Sequence, residues 1–110
     1  MSRKAETFLL DDMIKGWFVG NFEPTVYKTS DVEVGIKHYQ SGDYEKSHHH
    51  RVATEITVVQ KGIVEMNGVQ YVDGSIIKLD PFVSTDFKAI TDVTTIVVKI
   101  PGANDDKYFD

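Results

Sequence analysis

From residue 24 to residue 101 the chain is cut into short β-branched runs by tight-turn residues, and that punctuation points to an all-β fold. Residues 31–40 alternate Val32, Val34 and Ile36 with Glu33, Gly35 and Lys37, the two-residue period of a strand with one buried face. The turn Ser41-Gly42-Asp43 follows. Residues 63–66 and 69–72 flank Asn67-Gly68, the strongest short hairpin signal, because a type I′ turn needs positive φ at both central residues. Lys61-Gly62, Asp73-Gly74, Asp80-Pro81 and Asp92 separate further runs at 55–60, 75–79, 84–91 and 94–100, and 25–29 is a shorter one. Seven or eight strands so spaced, with no helical period, predict an antiparallel sandwich or small barrel.

A chain of 110 residues makes one domain with a small core, which dimerisation would help to complete. The formal net charge of −5, with no basic cluster, argues against nucleic acid or an anionic membrane as partner. No cysteine is present, so any metal must be held by nitrogen and oxygen. No apolar run reaches the roughly 18 residues of a membrane span, and residues 1–13 lack the apolar centre of a secretory signal. A cytoplasmic protein is the expectation.

The chemistry concentrates in GDYEKSHHHRVATEITVVQKG, residues 42–62. Alternate side chains of a strand share a face, so His48 and His50 aim at one point and His49 turns away. Glu55 has the wrong parity for that strand and must arrive from a second, adjacent one, after residues 51–54 turn the chain. Two imidazoles and a carboxylate suit a divalent metal, and with open positions left they match the facial arrangement of non-haem iron sites.

Gly42, His48, His50, Glu55 and Gly62 also match every fixed position of the first motif of the cupin superfamily, and HHHRVATEI resembles its germin-type wording. The resemblance covers roughly residues 30–100 and implies an antiparallel jelly-roll β-barrel with one divalent ion inside. The spacing does not distinguish Fe, Mn, Ni, Co or Zn. The second cupin motif supplies a further histidine ligand, and here the chain departs from the pattern. Counting from Gly74 puts Asp80 at the proline position, Phe82 at the glycine and Thr85 at the histidine, with Pro81 one place late. Thr85, or Asp86 beside it if the strand bulges, is the candidate fourth ligand or substrate contact. Without the third histidine, the oxalate oxidation of some germins is not carried over.

Lys37, His38 and Tyr39 are candidate acid–base groups. Periodicity leaves His38 on the Val32/Val34/Ile36 face and sets Lys37 and Tyr39 on the other; either set could border the pocket. Residues 1–23 read as an arm whose Trp17, Phe18 and Phe22 cover an end or edge of the barrel or cross to a partner, so a homodimer is expected. Residues 24–101 are the barrel, and 102–110 a polar tail that frays unless Tyr108-Phe109 packs back. The resulting expectation is a metal-dependent enzyme on a small polar substrate, of dioxygenase, isomerase, epimerase or lyase type. The alternative is a non-enzymatic module binding a sugar or other small molecule, with a weakened or absent metal site.

Overall fold

A computed structural model describes residues 3–110. Among these there is one short 3-10 turn, Leu10–Asp12, and ten strands. The strands are β1 (Trp17–Val19), β2 (Glu33–Tyr39), β3 (Tyr44–His49), β4 (Thr54–Lys61), β5 (Val64–Met66), β6 (Val69–Tyr71), β7 (Ile76–Leu79), β8 (Thr85–Ala89), β9 (Val93–Ile100) and β10 (Tyr108–Phe109). They form two five-stranded antiparallel sheets, ordered β1-β2-β9-β4-β7 and β10-β3-β8-β5-β6. The two sheets face each other as a jelly roll, the all-β architecture that the turn spacing predicts. Asn67 and Gly68 have φ of 49° and 77°, as the type I′ hairpin between β5 and β6 requires.

Inward positions change character along the strands, and this change locates the site. At one end Val59, Val64, Met66, Phe87, Ala89 and Val93 form a buried apolar cluster, with Tyr39, Tyr71, Ile77 and Leu79 packed on it. Toward the other end, the inward residue after Val59 on β4 is Thr57 and then Glu55. On β8 it is Thr85 after Phe87 and Ala89. Each large apolar side chain at the closed end contributes about 1.5–3 kcal/mol by leaving water. The polar end cannot be packed dry in this way and is left hollow.

Of the two alternatives for the tail, packing back is the one seen: Tyr108 and Phe109 pair with His49 and His48 on the free edge of β3. Two expectations need revision. Residues 25–29 are not a strand, and only Tyr27 makes an isolated bridge, to Val19. On β2 the residues turned toward the interior are Glu33, Gly35, Lys37 and Tyr39, while His38 is exposed on the outer face. The apolar alternation of Val34 and Ile36 reports a different contact. Ile36 faces an outer hollow with Leu9, Leu10, Met13 and Phe18 of the arm. Part of that arm, β1, is itself an edge strand on β2.

Candidate functional site

His48 lies next to the end of β3 in one sheet, and Glu55 lies near the start of β4 in the other. Residues 50–53 carry the chain across, so the two strands that bring the groups together belong to facing sheets rather than being paired neighbours. Nε2 of His50 comes within 2.6 Å of a Glu55 carboxylate oxygen. The His48 and His50 rings lie edge to face, 5.6 Å between centroids. His49 points away, as its parity requires. Its Nδ1–H donates to the Asp110 carboxylate at 2.8 Å, and its Nε2 accepts from Nε of Arg51 at 3.2 Å.

Each inward histidine commits its Nδ1–H to a backbone carbonyl. His48 donates to Lys46 at 3.0 Å, and His50 donates to Asp106. Both rings are thereby held with Nε2 as the free nitrogen. Nε2 of His50 is buried, and its one close polar neighbour is that Glu55 carboxylate oxygen. The nearby Glu55 carboxylate raises the His50 pKa above the usual imidazole value, against burial, which would lower it. For Glu55 burial acts upward, but the hydrogen bond from His50 and then its charge outweigh burial and hold the carboxyl below its ordinary range.

The three groups line a cavity of about 280 Å³ together with Tyr39, Glu45 and Lys99. A narrow inner extension of about 40 Å³ reaches Thr57, Thr85 and Phe87. Thr85 stands directly across from His48 in the β3–β8 register, at the position counted from Gly74, and its hydroxyl donates to the Asp86 carbonyl at 2.7 Å. Asp86 is turned away. Its carboxylate accepts from the Asn67 N–H at 2.8 Å and from the Tyr44 hydroxyl at 3.4 Å. No bulge at residue 86 brings it inward, so of the two candidates only Thr85 borders the cavity. Lys37 and Tyr39 border it as well. His38 instead bonds Thr94 at 3.1 Å and lines an adjoining hollow beneath Leu10 and Met13, which shares Lys15, Lys37, Tyr39 and Glu45 with the cavity.

Glu45 is a site residue that strand parity does not find. It is three positions before His48, which in a regular strand would set it on the opposite face. The β3–β8 register shifts between Glu45 and His48, and this bulge returns both side chains to the interior. Glu45 accepts a hydrogen bond from the Tyr39 hydroxyl at 3.2 Å. Burial first, and then the Glu45 charge, pushes the Tyr39 pKa well above the usual phenol value, so its proton stays in place at neutral pH.

Asp106, in the segment read as a polar tail, fixes the crossing loop. It is only 6% exposed, and its carboxylate accepts from the N–H groups of Arg51 at 2.9 Å, Val52 at 3.1 Å and Ala53 at 2.9 Å. The same residue's carbonyl holds His50.

Among the described residues no three His, Cys, Asp or Glu side chains already form a metal cage. The donor chemistry still fits a divalent ion. A buried imidazole nitrogen lies against a carboxylate, and a second imidazole with its other nitrogen equally committed lies beside it. Outer partners that fix the tautomer in this way are the usual support of a metal-ligating histidine.

No known family model matches the chain, and no curated protein matches it by sequence. Solved structures do. A Klebsiella pneumoniae protein with a double-stranded β-helix domain shares 20% identity over 99% of this chain and 98% of its own, with a TM-score of 0.71. An RmlC-like cupin from Shewanella frigidimarina shares 20% identity over 70% of this chain and 72% of its own, with a TM-score of 0.64. A mutant salicylate 1,2-dioxygenase from Pseudoaminobacter salicylatoxidans, in complex with gentisate, shares 14% identity over 66% of this chain and 21% of its own, with a TM-score of 0.58. At such identities the likeness shows the fold, and the fold is that of the cupins.

Proposed function

We propose that this cupin barrel holds one divalent metal ion on His48, His50 and Glu55 and acts as an enzyme on a small polar substrate bound in the cavity beside them. The observation that carries the reading is the His50–Glu55 contact. A buried Nε2, its partner nitrogen committed to a backbone carbonyl, stands 2.6 Å from a Glu55 carboxylate oxygen. A proton on His50 or a cation between the two relieves that arrangement, and only the cation also engages His48.

A bound Fe, Mn, Ni, Co or Zn ion would supply a Lewis acid that polarises a substrate carboxylate, enediol or hydroxy-ketone. The chain's own residues do the rest. Glu45, with Tyr39 donating to it, is a proton acceptor at the cavity wall, and Tyr39 keeps it oriented. Val97 and Phe87 line the interior beside these groups and limit water. Lys37 and Tyr39 remain acid–base candidates because they border the cavity, whereas His38 lies outside it. A dioxygenase among the proteins with this barrel supports enzymatic use, and the metal's identity would separate O₂ chemistry from isomerase or lyase chemistry. The reading includes a homodimer in the cytoplasm; among the described residues no helix is long and apolar enough to cross a membrane.

The test is elemental analysis of protein purified without chelators, beside the His48→Ala/His50→Ala variant. About one ion per chain, lost in the variant, is the expected result. No metal in the wild type after reconstitution with all five ions overturns it. A second reading rests on Thr85, whose hydroxyl is already turned to a backbone carbonyl where the family's second motif carries histidine. In that reading the barrel binds a small molecule without metal or turnover. Metal-free protein would then still gain thermal stability from its ligand.

A further inference from the structure

Lys15, Lys37, Lys99 and Lys107 stand around the mouth of the same cavity. They come from four separate stretches: the turn before β1, then β2, β9 and the C-terminal tail. Among the described residues none of the four makes an ion pair with a carboxylate. Lys37 and Lys99 both flank Trp17, with Nζ atoms 4.8 and 4.9 Å from its ring. The indole lies close against Gly35, where an added Cβ would meet it at 2.8 Å. Gly35 therefore lets the ring sit low enough to hold two ammonium groups at the rim. Lys37 is anchored further by donating to the Lys15 carbonyl at 2.7 Å.

The cavity's own carboxylates are Glu45 and Glu55, and Glu55 is engaged by His50. With neutral histidines the lining carries a net charge of +2, in a chain whose formal net charge is −5. Gathering like charges in a concave site raises the free energy unless an anion neutralises them. Lys37 registers the strain. Burial first lowers its pKa, Glu45 opposes this, and Lys99, Lys15 and Lys107 each lower it further.

We infer that the cavity takes a small organic carboxylate, its carboxylate group held at the rim by Lys37, Lys99 and Lys107 and the rest of the molecule directed toward His48, His50 and Glu55. This rests on the cavity being a small-molecule site but not on the metal. A phosphoryl ligand fits less well. Helix N-termini and arginine forks give phosphate directional donors, and here the described residues contain no helix beyond one 3-10 turn and no arginine lines the cavity; lysines alone bind either anion as point charges, so the phosphate titration decides between them. The volume of about 280 Å³ suits a ligand at the small end of the usual range.

Trp17 is the chain's single tryptophan, so its emission reports on the rim. The experiment titrates full-length protein with malonate, with the neutral analogue malonamide and with inorganic phosphate, while metal content is measured on the same samples. Malonate is expected to change the emission saturably and malonamide not at all. Lys37→Gln and Lys99→Gln should each weaken malonate roughly threefold or more, Lys99→Arg should stay within about twofold, and added salt should weaken binding throughout. Equal responses to malonate and malonamide, or glutamine variants that leave the malonate Kd unchanged, overturn the inference. Phosphate binding at least as tightly as malonate overturns the choice of carboxylate. Malonate binding that survives in metal-free protein separates this inference from the metal reading. The two fail independently: absence of metal refutes only the centre, and absence of anion selectivity in metal-loaded protein refutes only the lysine rim.

Discussion

Asp106→Ala removes the acceptor of three backbone N–H groups, those of Arg51, Val52 and Ala53, at a residue that is 6% exposed. Hydrogen bonds to a charged acceptor contribute about 1.5–3 kcal/mol each in buried settings, and donors left unpaired keep their desolvation cost. Because the loop borders the open end, water reaches part of it after truncation. The total loss should be about 3 kcal/mol. At about 4 °C per kcal/mol for a domain of this size, the melting temperature should fall by about 12 °C. Asp106→Asn keeps one acceptor oxygen and should lose about half as much. Burial alone would raise the Asp106 carboxyl, but the N–H groups of Ala53, Arg51 and Val52 outweigh it and hold the pKa below the ordinary aspartate value. A carboxyl depressed on folding adds stability that is complete above its unfolded value, about 3.9, and is lost as the pH falls through the lower folded value. The gap between wild type and Asp106→Ala should therefore be widest near neutrality and shrink below about pH 4. Thermal unfolding followed by near-UV circular dichroism across a pH series measures both effects. A melting temperature within about 2 °C of wild type, or a gap that does not close in acid, refutes the reasoning.

Phe87→Ala should cost about 3–5 kcal/mol, since the ring is buried in the closed end and packs on Tyr39 with centroids 4.6 Å apart; a denaturant midpoint close to wild type would contradict that packing role. Thr85→His places an imidazole across from His48 and should slow loss of metal to a competing chelator at least about tenfold, at about 1–3 kcal/mol in stability from overpacking. Unchanged chelator kinetics would mean that position 85 does not reach the ion. Phe8, Leu9 and Ile14 leave an exposed apolar arm, and the radius of gyration of 14.9 Å exceeds the about 13 Å of a compact chain this long. Light scattering should find a dimer, and a monomer at high micromolar concentration would count directly against it.

Much of the barrel is legible along the chain because strands and turns are local. A period-two run marks β2, strand-like runs between turn residues mark β4, β8 and β9, and positive-φ residues such as Asn67-Gly68 mark where the chain reverses. The shared face of His48 and His50 follows from strand parity, and counting from Gly74 lands on Thr85, which does stand opposite His48. The missed parts share a cause. Glu45 returns to the interior only through a bulge, which one strand's pattern cannot reveal. His38 shares the apolar face of β2, but that face packs against the arm while Lys37 and Tyr39 turn inward. Asp86 could enter only through a bulge at its own position, and its partners Asn67 and Tyr44 hold it outside.

The sequence by itself therefore determined the strand class, the turns and the shared inward face of His48 and His50, because backbone sterics and side-chain alternation act over a few residues. Tertiary structure alone decided that Glu55 comes from the facing sheet, that Asp106 reaches back more than fifty positions to the Arg51–Ala53 loop, and that four lysines meet at one mouth. Antiparallel pairing joins segments far apart in the chain, so contacts across the barrel depend on register and on which sheet each strand enters. No short window of residues carries that information.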